Sequence, residues 1–305
     1  MITRAVFSYF NADDSFSNKA GYMFYSDFLY TMALATHWAM QNFKSVHVVT
    51  TQWGERVLRT AGIEVTEYST ELDTMKNIPR WFWAYGKMIA YTLQTQPFVH
   101  VDNDMIIRQP LPERVLNARL CFQSKEQMVV PEYRWYDVLR PCWNSAVVRP
   151  QIIVNNEVTD FTYNCGICGG HDLEFFKEWI KTSAEYIFAP ENQKVFFEDF
   201  RPVQMHQNLW HEQYFAAALI KAHHLRDQVE LITDDINDPS WILDNKKNLR
   251  YAHLWGATKT DQHIMKRVRA GLQTFAPALY ERVTDFVNNY LFSECPNDVR
   301  VGATL

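Results

Sequence analysis

Strand-like and helix-like segments alternate through the first hundred residues of this chain, and that alternation constrains its fold more than any other feature. Residues 4–10 are apolar and strand-like, and a polar stretch, Asn11-Ala12-Asp13-Asp14-Ser15, follows them. Helical periodicity runs from about Tyr25 to Asn42, with Phe28, Leu29, Met32, Leu34, Ala35 and Met40 on the apolar side. Ser45–Thr50 predicts a second strand, 52–61 a short helix stopped by Gly62, and 63–68 a third strand. Pro79 opens a further helix through Trp81, Trp83, Lys87, Met88 and Tyr91 to Thr95, and 97–101 predicts a fourth strand. Strands separated by helices in this way indicate a parallel sheet with helices on both faces. In such sheets ligands bind beyond the carboxyl ends of the strands.

The remainder reads less regularly. Residues 120–123 predict a strand, and 131–161, punctuated by Pro131, Pro141 and Pro150, an irregular excursion suited to acceptor specificity. Residues 163–170, Tyr-Asn-Cys-Gly-Ile-Cys-Gly-Gly, read as a tight turn of small residues. Helices are expected at 172–189 and 209–222, a strand at 228–232, a short strand or turn at 251–255, and a helical tail over 261–291. Glu198-Asp199, between Phe196, Phe197 and Phe200, reads as a loop with an aromatic anchor. There is no internal repeat, low-complexity tract or clear linker.

Composition excludes several classes. A chain of 305 residues with 47% hydrophobic and 21% charged residues has ordinary globular values, not those of a disordered protein. A formal net charge of -5 and the lack of a dense Lys/Arg run argue against a nucleic-acid partner. The first residues read as a strand, not a signal peptide, and no stretch approaches the length of a transmembrane segment. Five cysteines, few and odd in number, indicate a reduced, cytoplasmic protein. Cys165-x-x-Cys168 with His171 lacks the second Cys/His pair that structural zinc needs.

The chemistry centres on Asp102-Asn103-Asp104, where the fourth strand ends. Residues i and i+2 of an extended backbone point to one side, so the two carboxylates converge at the strand exit. Hard divalent cations bind through one or two carboxylates plus the phosphate oxygens of a substrate. Asp and Asn are also ordinary turn residues, so the pattern gains meaning from its place at a sheet end. A second motif, His253-Leu254-Trp255-Gly256-Ala257-Thr258-Lys259, supplies what such a site still needs. An imidazole is a third ligand that favours Mn²⁺ over Mg²⁺. Glycine admits close backbone approach to a phosphate, and lysine places a compact positive charge on it.

Together, the strand-end Asp102-Asn103-Asp104 and the late His253-x-x-Gly256-x-x-Lys259 resemble the GT-A glycosyltransferases, most closely the glycogenin and lipopolysaccharide galactosyltransferase group, family eight. The pattern departs from that group after Lys259, where Thr260-Asp261 stands in place of Pro-Trp. The resemblance implies an α/β fold of the Rossmann-like GT-A type, with a mixed sheet flanked by helices. The resemblance covers Arg4 to about Lys259, and the chain is read as a catalytic domain over 1–260 with a C-terminal helical extension, 261–305, packed on it. The resemblance also implies transfer, with retention, from a nucleotide-diphosphate sugar, usually UDP-linked, to a glycan, lipid or protein acceptor.

Residue by residue, Asp102, Asp104 and His253 would hold Mn²⁺, with Mg²⁺ as the alternative, and Gly256 and Lys259 the diphosphate. Tyr9 and Asn11, after the first strand, lie where the nucleobase sits in such a fold; Asn103 and Lys87 would face the donor. Asn164 and Gly166 resemble the turn that borders the sugar pocket. Trp210-His211-Glu212-Gln213 resembles the acidic segment beside the donor's anomeric carbon, with Glu212 as the catalytic carboxylate and His211 and Gln213 near sugar or acceptor. Two other functions fit the same frame: a nucleotidyltransferase that makes a nucleotide sugar, and a non-catalytic nucleotide-sugar-binding protein. The first would want a Gly-rich basic loop soon after strand one, whereas residues 11–21 hold one Gly and one Lys.

Overall fold

The computed structural model describes residues 1–78, 82–128, 135–200, 206–233 and 250–291. In chain order the regular elements are β1 (Arg4–Tyr9), α1 (Tyr25–Asn42), β2 (Ser45–Thr50), α2 (Gln52–Thr60), β3 (Glu67–Ser69), α3 (Trp83–Thr92), β4 (Phe98–Val101) and β5 (Met105–Ile107). They continue with α4 (Glu113–Leu116), β6 (Leu120–Gln127), α5 (Trp135–Ser145), α6 (Gln151–Asn155), β7 (Phe161–Gly170) and α7 (Leu173–Ile187). Last come α8 (Phe215–Ala222), β8 (Val229–Leu231), β9 (Tyr251–His253), α9 (Gln262–Phe275) and α10 (Pro277–Phe286). Among the described residues seven strands form one sheet in the order β3-β2-β1-β4-β7-β6-β8, and β5 and β9 form a small separate pair. β1, β2 and β3 pair in parallel, as do β6 and β8, while β7 runs antiparallel to β6. The fold is therefore the mixed α/β sheet flanked by helices expected of a GT-A-like chain, not the all-parallel sheet that strand–helix alternation alone suggests.

The chain forms two compact units. One comprises Arg4–Asn77, Val101–Leu111 and the residues from Asp238 onward; the other comprises Met1–Thr3, Ile78–His100 and Pro112–Asn237.

In the first unit α1 is buried almost all round, from Tyr25 to Thr36, because it packs against β2, β5, α9 and α10. Arg269 of α9 pairs with the buried Asp27 of α1, and Tyr30 shares a hydrogen bond with Thr284 of α10. Gly62 ends α2 in a left-handed conformation (φ 79°), and the Ile63 N–H closes the helix on the Leu58 carbonyl at 3.0 Å. The third strand begins at Glu67, later than the expected Ile63, whose N–H is used by this helix end.

In the second unit α3 packs on α7, whose first turn is capped by Asp172 accepting from the Phe175 N–H. The expected start at Pro79 and Trp81 lies outside the described residues. Two expectations are corrected here. Residues 163–170 are not a tight turn but most of β7, with a register shift opposite Phe122/Ser124. Their small size answers a different need, since a Cβ on Gly169 would fall 2.1 Å from the Phe98 carbonyl oxygen. The clash is with backbone, which cannot step aside. Gly169→Ala is therefore expected to cost about 3 kcal/mol or more of unfolding free energy, read from the midpoint of a urea titration. The second correction concerns 131–161, read as irregular. It contains α5 and α6, with Pro141 inside α5 and Pro150 starting α6, where its carbonyl accepts from Ile153 and Val154. The segment 209–222 is helical as expected, but winds in wide π-type turns over Leu209–Tyr214 before α8 begins.

Candidate active site

Strand pairing builds the first cluster. Past the end of β4, the Asp102 carbonyl accepts from Met105 N–H at 2.9 Å, closing the turn that starts β5. β5 then pairs with β9 so that Met105 lies opposite His253, and the Leu254 N–H reaches the Asp104 carbonyl at 2.9 Å. Two motifs remote in sequence are thereby joined by backbone hydrogen bonds. One possible ligand atom from each of Asp102, Asp104 and His253 lies within 4.8 Å of the others, and among the described residues this is the one His/Cys/Asp/Glu group so placed.

Asp104 and His253 are both buried. Asp104 Oδ1 lies 3.4 Å from His253 Nε2, while His253 Nδ1 is buried with no hydrogen-bond partner. A buried imidazole nitrogen left without a protein partner is the kind of orphan that a ligand satisfies. Two carboxylates and an imidazole form a donor set suited to a borderline divalent metal such as Mn²⁺. Asn103 turns back instead, donating Nδ2 to the Ser8 carbonyl at 2.8 Å, with its buried Oδ1 unpartnered.

Lys259 reaches the same cluster. Gly256 (φ 57°) begins a short turn, Gly256–Thr260, with open space on its Cβ side. From that turn Lys259 Nζ comes to 2.8 Å from Asp104 Oδ2. Burial pushes the Asp104 carboxyl up, but Lys259 and His253 outweigh it and hold the group well below the usual carboxylate range. Immediately beyond, Asp261 caps α9 by accepting from the His263 and Ile264 N–H groups. Tyr9 and Asn11 stand differently. Both are buried; the Tyr9 hydroxyl bonds to Tyr25 and accepts from Asn11 Nδ2, which also donates to Ser15 O. Their polar groups stabilise the exit of β1.

The second unit holds the other expected residues. Lys87 and Glu212 form an ion pair at 2.6 Å with side chains only 6% and 3% exposed, and Lys87 Nζ also donates to the Cys165 carbonyl at 3.3 Å. Glu212 sits in the wide-turned stretch before α8, a deformation that recurs at functional sites. Its neighbours are buried too. The Gln213 Oε1 accepts from Tyr136 at 2.8 Å, and the His211 carbonyl accepts from Trp179 and Ser183. Asn164 Oδ1 accepts from Gly166 N–H at 2.9 Å, so this pair organises the irregular part of β7.

Both ring nitrogens of His211 are buried without partners, and burial pushes its pKa down to about 3. Burial, with the Lys87 charge added, likewise holds His100 well below its ordinary value. A histidine kept neutral in the fold binds a proton only when unfolded, so stability is full above the unfolded pKa and falls as pH drops below it. Between pH 6.5 and 5 His211 should cost about 2 kcal/mol, with His100 adding in the same direction, measured by urea unfolding across that range. Equal unfolding midpoints at the two pH values would contradict this.

Sequence reasoning did not find Tyr22. Its ring lies under Lys259 Nζ at 5.3 Å from the centroid, and the Lys259 ammonium also donates to the Ala20 carbonyl at 3.4 Å. Burial raises the Tyr22 pKa well above its ordinary value, and the charges of Asp104, Asp27 and Asp102 add to that. A ring face and a backbone carbonyl in a loop leave no spacing signal; the polar stretch after strand one was the only hint.

No curated protein matches the chain in sequence. Among solved structures it is similar to the inositol-1-phosphate CTP transferase from T. maritima, at 12% identity and a TM-score of 0.37 over 88% of this chain and 97% of that one. It is also similar to mouse xyloside xylosyltransferase 1, at 7% identity and a TM-score of 0.33 over 76% and 85%. The bifunctional glycosyltransferase WbbM gives 12% identity and a TM-score of 0.36 over 93% of this chain and 52% of that one. Likeness at these TM-scores bears on neither residues nor activity. Among the described residues, no helix is long and apolar enough to cross a membrane. A family model matches residues 2–286, and the chain belongs to that family, the family of unknown function DUF6734.

Proposed function

We propose that the protein is a metal-dependent glycosyltransferase that moves a sugar from a nucleotide-diphosphate donor, UDP-linked, with retention of configuration. One observation carries the reading: two carboxylates and an imidazole gather ligand atoms within 4.8 Å of one another, with a lysine ammonium 2.8 Å from one of the carboxylates. An anionic cluster with a cation at its edge suits a divalent metal that brings a diphosphate with it. Asp102, Asp104 and His253 would hold Mn²⁺, with Mg²⁺ as the weaker alternative. Such a metal, when bound, supplies Lewis-acid stabilisation of charge on the leaving diphosphate.

The chain's own groups do the rest. Lys259 neutralises negative charge on the diphosphate, and Gly256 gives the backbone room beside it. Glycosyl transfer passes through an oxocarbenium-like state, which a carboxylate stabilises. Glu212 is proposed for that role, held in place by its ion pair with Lys87. Asn103 is assigned to the donor, and Asn164, Gly166, His211 and Gln213 to sugar or acceptor. Tyr9 and Asn11 are assigned to the nucleobase end through the shape of the β1 exit. Residues 1–260 are taken as the catalytic segment, with the helices that follow as an extension packed on it. The four described cysteines are free thiols, which suits the cytoplasm.

A thermal-shift panel of nucleotides and nucleotide sugars, each with and without Mn²⁺, tests the reading. A metal-dependent rise in melting temperature with UDP or a UDP-sugar, followed by slow metal-dependent release of UDP without acceptor, supports a transferase. Binding with no turnover of any nucleotide sugar would reduce the protein to a binding module.

A further inference from the structure

Lys259 does two things that conflict. Its ammonium sits on Asp104 Oδ2 at 2.8 Å, an oxygen of the carboxylate assigned to the metal. The same ammonium holds the loop after β1, donating to the Ala20 carbonyl at 3.4 Å and lying 5.3 Å from the Tyr22 ring centroid. An ammonium has three donors. With one on Asp104 and one on Ala20, it is committed to protein on two sides and faces an aromatic ring on a third. Ala20 itself is left-handed (φ 50°), a conformation alanine rarely adopts, and Gly21 follows it at φ 86°. A Cβ on Gly21 would stand 3.4 Å from Lys259 Cδ, so the loop backbone lies against the lysine stem as well as its head.

With the ammonium on Asp104 Oδ2, a divalent cation bound to the same carboxylate stands close to a like charge and is repelled by it. Yet the diphosphate that a metal brings needs the same lysine. We propose that Lys259 and the metal exchange at Asp104. The ammonium occupies the carboxylate until a metal–diphosphate complex arrives, then passes to the diphosphate and leaves Ala20 and Tyr22. The ligand of this site is therefore the metal–nucleotide chelate and not the bare cation, and the loop through Ala20 and Tyr22 senses its arrival. This rests on the metal–diphosphate reading above, but it makes a prediction that reading does not. Removing the lysine should strengthen binding of the metal alone while weakening binding of the chelate.

Mn²⁺ titration followed by the electron paramagnetic resonance signal of the free ion reads the first quantity, and calorimetry with preformed Mn²⁺–UDP the second, both without turnover. Lys259→Met is expected to bind bare Mn²⁺ roughly tenfold or more tightly than the parent, and Mn²⁺–UDP roughly tenfold or more weakly. Lys259→Arg, which keeps the charge, is expected to bind bare Mn²⁺ as weakly as the parent. The exchange is overturned if the parent binds Mn²⁺–UDP but Lys259→Met takes up bare Mn²⁺ no better than the parent. If the parent binds no Mn²⁺ with or without UDP, the metal-site reading itself fails and the exchange with it.

Discussion

Asp104→Asn should reduce Mn²⁺-dependent UDP binding by about a hundredfold or more while leaving the fold intact. Changes in groups that merely orient a metal ligand typically cost 10–100-fold, and the loss of a charged ligand exceeds that. The side chain keeps its size, so Asn at 104 still fills the buried space beside His253 Nε2. What disappears is the negative charge that the whole cluster is arranged around. Asp104 is engaged on both oxygens, by His253 and by Lys259. The substitution also releases Lys259, so UDP binding without metal should hold level or improve. That opposite sign separates a metal ligand from a residue that simply supports the fold. His253→Ala should weaken Mn²⁺ binding more modestly, with carboxylate ligands still in place. Calorimetry with Mn²⁺–UDP and with UDP alone provides both readings. Parent-like Mn²⁺–UDP affinity in Asp104→Asn and His253→Ala would falsify the metal assignment.

The second large effect is on stability. Lys87→Met should destabilise the protein by about 3–5 kcal/mol, because it leaves Glu212 charged and buried without its cation. Glu212→Gln should cost less, since the amide carries no charge and can still accept from Lys87. The double variant, Lys87→Met with Glu212→Gln, should recover much of the Lys87→Met loss. The recovery, read from urea unfolding, is the coupling energy of the pair. Activity should follow a different order. If Glu212 carries the stabilising charge, Glu212→Gln loses turnover while keeping Mn²⁺–UDP affinity, and the stable double variant remains inactive. A pair that serves stability alone would instead return turnover along with the fold.

These two clusters were legible in the sequence to different degrees. Asp102, Asp104, His253 and Lys259 could be read because each motif is short and its spacing has a direct geometric meaning: alternate residues at a strand end, then an imidazole followed closely by a glycine and a lysine. That β5 and β9 pair to join them could not be read, since three-residue strands give no periodicity. Lys87 was legible as a basic residue of a helix, but its partner at 212 was not, because nothing local links the two positions. Gly169 and Gly170 misled in a specific way. Glycine marks turns and close backbone approaches alike, and only the neighbouring Phe98 carbonyl tells which. The prolines at 141 and 150 misled similarly, read as breaks where one lies inside a helix and the other starts one.

The short link between Lys259 and α9 sets how this part of the chain tolerates change in length. Only Thr260 and Asp261 separate the lysine from a helix anchored to α1 through Arg269 and Gln262 on Asp27. An inserted residue would move the lysine away from Asp104 relative to that anchorage, because Thr260 and Asp261 are the whole of the link. Insertions and deletions at 260–261 should therefore be rare among related sequences, while single substitutions at Thr260, an exposed position, should be common.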